Sequence, residues 1–414
     1  MLDSSTFCGK RILLSDTENR PPVGRSLDHC SSVLHVAWLK ARYGGAHKYL
    51  DRLVRHLLEK RYRVSLAVNE QTEDRPFLKS LSKLGVEVYF LPLDSSPELS
   101  AKRLDQIVEA FRPDIVHFNS GAKHPRAAAA KMTTLKKRRF RTVFTMHLPL
   151  IRVEPKTNIL HRIPFTGTNR SLTEKASFAK QFDRIISVSE RFADVNIRGL
   201  SLNLSHVVSI PNGVDITQFT PSAKTAQETN PDEIIIGACG GLVPQKRFDL
   251  LIDAVAKIDN PPLSIRIAGE GPERDRLQKK IDDLKLTDKI QLIGHQTDVS
   301  TFLRQLDIFV MPSDYEAAPY SQLEAMATGL PSIVTNVGDL PLMVRDGLDG
   351  IVIPVGDTEA LSTAIRLQVS DESMRRNMGV SARRRAVEHF EQNACESKTL
   401  ELFESLLNHE CDSE

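Results

Sequence analysis

An alternation of strand and helix patterns runs along this chain, stops at a polar stretch, and starts again, and few folds satisfy such a pattern. From Val33 the short apolar run "SVLHVAW" gives way to "AHKYLDRLVRHLLEKRY", where Leu50, Leu53, Val54, Leu57 and Leu58 recur at helical spacing. The strand candidates "RVSLAV", "VEVYFL", "DIVHF", "RTVFTMH", "RIISVS" and "VVSIPNGVD" follow, with helical segments such as "LDQIVEAF" and an alanine-rich stretch between them. Strands separated by helices mean a parallel sheet. The polar stretch "TPSAKTAQETNP" reads as a linker over residues 220–231. The alternation then resumes with "EIIIGACGG", "FDLLIDAVAKI", "LSIRIAG", "ERDRLQKKIDDL", "KIQLIG", "DIFVMPS" and "PSIVTN". The expected architecture is α/β: one domain over 32–219, a second over 232–390, and a tail that is helical after about Ser370. Residues 1–31, with "SDTENRPPVGRSLD", read as a poorly ordered leader, although "RILL" could add an edge strand.

Size agrees with two domains, since 414 residues exceed one ordinary core. A hydrophobic content of 41% with 26% charged residues suits a globular chain, and a net charge of +2 implies no polyelectrolyte partner. Cys8, Cys30, Cys239, Cys395 and Cys411 are odd in number, scattered, and form no C-x-x-C pair. That argues against a disulfide framework or zinc site and fits a reducing compartment. No apolar run approaches the roughly 18 residues of a membrane span, and the N-terminus lacks the apolar stretch of a signal peptide. The expected location is cytoplasmic.

Parallel sheets bind ligands beyond the carboxyl ends of their strands, so residues just after strands carry most weight. Gly44 and Gly45 follow the first strand and precede a helix, where a close backbone approach and exposed N–H groups suit an anion. An ordinary tight βα turn explains them equally well. "GEGP" at 269–272 has the same form and reads more as turn geometry. After "DIFVMPS" the chain turns through 314–319. Ser321 with Glu324 reads as a capping box, and Gly329 with Pro331 as a helix stop, giving a helix over about 322–328. Capping alone would explain Glu324. It leaves Glu316 unexplained, and a loop carboxylate just upstream of a helix start suits hydroxyls of a polyol.

The pattern E-x7-E followed by "AMATGLP" resembles the signature of glycosyltransferase family 4, the retaining enzymes of GT-B fold. The likeness includes "YGGAHKYL", "PDIVHFNS", "TMHLPL", "RIISVSE", "IPNGVD", "GLVPQKRFDLLIDAV", "IAGEGPERDRL" and "DVSTFLRQLDIFVMPS", in order from about Val33 to the tail. It implies two Rossmann-like domains facing across a cleft, the first for the acceptor and the second for a nucleotide-sugar donor. A last helix, about 391–410, would cross back to the first domain. It implies that Glu316 binds donor-sugar hydroxyls, Glu324 accepts ribose hydroxyls, and Lys246 neutralises the diphosphate with help from the amides of Gly44 and Gly45. His147, after the strand "TVFTM", would stand near the transfer centre. Arg247, Ala318, Tyr320 and Ser321 would line the donor site, while Asn212, Gly213 and Asp215 would shape the interdomain turn. Transfer would retain the anomeric configuration without metal or cofactor.

Family members commonly carry arginine where this chain has Gly241. Losing a charge-assisted hydrogen bond costs about 1.5–3 kcal/mol, or roughly 10- to 100-fold in donor affinity or rate. Arg247 is a candidate to compensate. Ala317 and Pro319 are further departures. The expected function is transfer of a sugar from a UDP- or GDP-sugar to an acceptor hydroxyl in glycan or glycolipid biosynthesis. A nucleotide-sugar 2-epimerase, or a degenerate transferase that only binds, are the alternatives. Between Lys123 and Arg141 there are basic residues and no acid. The stretch suits either a solvated helix end or peripheral contact with an anionic membrane surface, useful for a lipid-linked acceptor. Nucleic acid is not expected, because aromatic residues are not interleaved there apart from Phe140. Residues 152–175 are the candidate for acceptor contacts.

Overall fold

The apolar runs predicted as the central strands of the first sheet are buried on both faces, as parallel strands covered by helices require: β1 (Ser32–Ala37) and β4 (Ile115–Asn119) expose no residue. The structure is a computed structural model that describes residues 30–39, 44–70, 75–92, 97–119, 139–148, 150, 172–221, 233–259 and 262–408. Nearly all of the leader and of the linker, the basic stretch up to residue 138, the alanine-rich segment and residues 151–171 lie outside the described residues.

The first sheet also contains β2 (Arg63–Asn69), β3 (Glu87–Leu91), β5 (Arg141–Met146), β6 (Arg184–Ser187) and β7 (Val207–Ser209). Its order among the described residues is β3-β2-β1-β4-β5-β6-β7, with every pairing parallel. The second sheet is built of β8 (Ile234–Cys239), β9 (Leu263–Ala268), β10 (Ile290–Gly294), β11 (Ile308–Met311), β12 (Ser332–Thr335) and β13 (Gly350–Ile353). Its order is β10-β9-β8-β11-β12-β13, again all parallel. Chain order reverses between β1 and β4 in one sheet and between β8 and β11 in the other. Those switch points open crevices beyond the carboxyl ends of the strands.

The chain passes between the lobes twice, and the two passages are laced together. Val214 N donates to Phe390 O at 2.8 Å and Gln392 N to Val214 O at 3.0 Å. Gly213 permits the approach, because a Cβ there would lie 2.6 Å from Gln392 Cα. Beyond this crossing the helix Gln392–Asn408 lies on the first lobe, where Leu400, Phe403 and Leu406 join Leu50, Leu53 and Leu57 in one core.

Glu396 of that helix is buried next to His56, at 3.9 Å. Burial pushes its carboxyl up to about 8, against the opposing pull of Arg52, and burial likewise holds the His56 imidazole below its ordinary value. Near neutrality both groups are therefore uncharged rather than an ion pair. The folded protein keeps a proton on Glu396 that the unfolded chain releases above its ordinary 4.5, so stability falls as pH rises from there through about 8. Glu396→Gln is expected to raise the melting temperature at pH 8, a gain of up to roughly 4 kcal/mol for a rise from 4.5 to about 8 at about 1.4 kcal/mol per unit. The gain should shrink toward pH 5, and a gain independent of pH in thermal unfolding would refute the assignment.

Candidate active site

The carboxyl end of β11 leads into the loop 312–319, which is tied down before it can carry function. Thr335 Oγ1 donates to Ser313 O at 2.6 Å, Gln245 Nε2 to Tyr315 O at 2.6 Å, and Asp339 N to Ala317 O at 2.9 Å. Gly338, at φ +48°, lets the next turn press against it, since a Cβ there would come 1.9 Å from Glu316 O. The Glu316 side chain is thereby fixed and almost buried, with 8% of its area exposed.

Lys246 comes from the turn Pro244–Lys246 beyond β8, and its Nζ lies 2.6 Å from Glu316 Oε1. Ser313 Oγ donates to the same oxygen at 2.8 Å. Arg247 takes the left-handed conformation at φ 50°, which turns its guanidinium away to Asp314 at 2.8 Å and Asp249 at 3.1 Å. Those carboxylates hold the guanidinium above its ordinary value despite burial. Compensation for Gly241 by Arg247 therefore requires Arg247 to abandon Asp314, whose side chain is only 1% exposed. Gly241 itself has room for a side chain, as the nearest atoms to a Cβ there are 3.9 Å away or more. In "GEGP", Gly269 and Gly271 serve backbone packing: a Cβ would come 1.8 Å from Gly240 O and 2.3 Å from Leu242 O, respectively.

The capping box expected at Ser321 and Glu324 does not form. Pro319, with φ near −72°, is the N-cap and starts the helix at Tyr320, so Ser321 already lies inside the first turn. The Glu324 carboxylate, 1% exposed, instead meets Lys48 Nζ at 2.5 Å. Lys48 belongs to the other lobe, in the helix Gly45–Glu59 that follows Gly44. Tyr320 is buried among first-lobe residues, and Arg52 lies 4.9 Å above its ring. Gly45 leaves room beside the same ring, since a Cβ there would lie 3.7 Å from it. Ala318 is buried, and its carbonyl accepts a 2.7 Å hydrogen bond from Asn212 Nδ2.

His147, half-buried at the end of β5, donates from Nε2 to Asn119 Oδ1 at 2.6 Å and packs edge-on against Tyr49. Burial lowers its imidazole to about 4, so at neutral pH it is uncharged and Nδ1 is an acceptor. Beneath it His117 bonds Thr145 at 2.7 Å and His35 at 3.0 Å, and the Thr145 hydroxyl also meets that of Tyr49.

Sequence reasoning missed two contacts across the cleft. Asp339 bonds Ser189 Oγ at 2.7 Å, Glu190 N at 2.7 Å and Arg191 N at 3.1 Å, capping a helix of the opposite lobe. The other is Lys48. Its signal was present: the first turn of its helix holds no acid, and a lysine close behind opposes the helix dipole.

Residues 43–218 match the family described as Glycosyltransferase Family 4, and residues 220–385 match Glycosyl transferases group 1. The chain belongs to this glycosyltransferase family. A lipopolysaccharide core biosynthesis glycosyltransferase of Rhizobium meliloti is 32% identical over 43% of this chain and 52% of its own length. An Escherichia coli UDP-Gal:alpha-D-GlcNAc-diphosphoundecaprenol alpha-1,3-galactosyltransferase is 29% identical over 51% of this chain and 57% of its own. The chain thus spans about half the length of these curated relatives. Among solved structures, a Rickettsia africae glycosyltransferase matches with TM-score 0.75 at 19% identity, covering 91% of this chain and 99% of that one. Anabaena HepE in complex with UDP matches with TM-score 0.75 at 19% identity, over 90% of this chain and 100% of that one. The fold of this family member is GT-B, with the two parallel sheets as its lobes. Among the described residues no helix is long and apolar enough to cross a membrane.

Proposed function

We propose that the protein is a retaining glycosyltransferase that moves a sugar from a UDP- or GDP-sugar to a hydroxyl of a saccharide or lipid-linked acceptor. The observation that carries this reading is the buried Glu316 carboxylate, held against Lys246 at the carboxyl end of the second sheet. An acid-and-ammonium couple there offers acceptors to sugar hydroxyls and a cation to a departing diphosphate. Glu324, from the following helix, would take the ribose hydroxyls.

In the reaction the bond between the anomeric carbon and the diphosphate oxygen breaks while the acceptor oxygen bonds to that carbon. The acceptor proton passes to the departing phosphate on the same face, so no protein nucleophile is consumed. Lys246 stabilises the charge growing on the leaving group, and Glu316 holds the sugar in place. His147, neutral and oriented by Asn119, would accept a hydrogen bond at Nδ1 from a substrate hydroxyl. The relatives support the substrate class: HepE is seen with UDP and UDP-glucose, and the Escherichia coli enzyme is named for a diphosphoundecaprenol-linked sugar. We place the protein in the cytoplasm, with peripheral membrane contact where the acceptor is lipid-linked.

Incubation with UDP-glucose, UDP-galactose, UDP-N-acetylglucosamine and GDP-mannose tests the reading. At least one should release its nucleoside diphosphate, and EDTA should not stop the release. Gly241 favours one rival, a protein that binds donors without turnover. A thermal shift with a donor but no released diphosphate would establish that rival instead.

A further inference from the structure

The ammonium of Lys48 reaches over from the first lobe to a carboxylate of the second, and its contact with Glu324 at 2.5 Å is the shorter of the two lysine pairs described above. Lys48 keeps 27% of its side-chain area exposed, so its charge is reachable from the cleft, whereas Glu324 beneath it is closed off. The ring of Tyr320 lies 5.9 Å under the ammonium and shapes the floor on which it rests. Cys239, at the carboxyl end of β8, lies within electrostatic reach of Glu324, Lys48 and Lys246, and Lys246 packs beside the next residue, Gly240, where a Cβ would come 3.1 Å from its Cε.

A nucleoside diphosphate brings at least two negative charges to that strand end. The second lobe meets them with Lys246, while Arg247 is engaged by Asp314 and Asp249. A ribose that takes the Glu324 carboxylate displaces Lys48 from it. The nearest unmatched negative charge is then the diphosphate attached to that same ribose. Resting on the nucleotide-sugar reading above, we propose that Lys48 is a donor-binding residue: it guards Glu324 in the empty cleft and transfers its ammonium to the diphosphate when the nucleotide enters. The exchange trades one charge pair for another and draws the first lobe onto the donor.

Titration calorimetry with UDP, GDP, uridine and guanosine on the full chain tests this. Lys48→Met is expected to weaken diphosphate binding roughly 10- to 100-fold, as loss of a charge-assisted hydrogen bond implies. Binding of the free nucleoside should be unchanged or tighter, because a competitor for Glu324 is gone. Lys48→Arg should retain most of the diphosphate affinity. The proposal is overturned if Lys48→Met binds diphosphate as well as or better than the unmodified protein, since Lys48 would then only block the site. It is equally overturned if diphosphate and nucleoside affinities fall together, or if Lys48→Arg loses as much as Lys48→Met. Should the unmodified protein bind neither UDP nor GDP, the nucleotide-sugar reading itself fails, a result separate from all of these.

Discussion

Glu316→Ala is expected to reduce sugar transfer by about 10²- to 10³-fold, the usual cost of removing a preorganised group at the reacting centre. Its affinity for the free nucleoside diphosphate should change little. The separation follows from the geometry. Glu316 is held by Ser313 and Lys246, while the carboxylate proposed for the ribose, Glu324, belongs to a different element and is anchored by a different lysine. Removing Glu316 leaves the loop in place, because Gln245, Thr335 and Asp339 grip its backbone rather than that side chain. Turnover of the accepted donor and calorimetry with its nucleoside diphosphate measure the two quantities separately. Unchanged turnover in the alanine variant would remove Glu316 from the site.

Lys246→Met should cost comparably in kcat/KM, through loss of the cation facing the leaving diphosphate. A second effect separates it from Glu316→Ala. Methionine leaves the Glu316 carboxylate nearly buried without its cation, with Ser313 still donating to it, and breaking a buried pair typically costs about 3–5 kcal/mol of stability. The melting temperature should therefore fall with Lys246→Met and recover in the double variant with Glu316→Gln, while turnover stays low in both. Turnover within a few-fold of the unmodified protein would reject the role of Lys246 at the diphosphate.

Most of the fold could be read from the residues, because strands covered on both faces are continuous apolar runs that need no partner to be recognised. The runs at Ile308–Met311 and Ile115–Asn119 are of that kind. β13 escaped notice, being only four residues between turns, with half its positions partly exposed. Ser321 and Glu324 were misread for a local reason: the capping pattern is a spacing rule, and Pro319 with its preset φ starts the helix too early for that spacing to act. The remaining misses are long-range. Lys48 and Glu324 are 276 positions apart, and Ser189 and Asp339 are 150 apart, so their contacts exist only once two lobes face each other. Arg247 stood beside Lys246 in sequence, yet a left-handed backbone at one residue sent the two cations to different carboxylates.

The lacing of the two interlobe passages, Val214 to Phe390 and Gln392, restricts how the molecule can breathe. Two covalent tethers bonded side by side behave as an axle, so the lobes swing about that line instead of sliding apart. Lys48 with Glu324, and Ser189 with Asp339, act as latches across the gap. Opening of the cleft then becomes a matter of unlatching and rotation about that line.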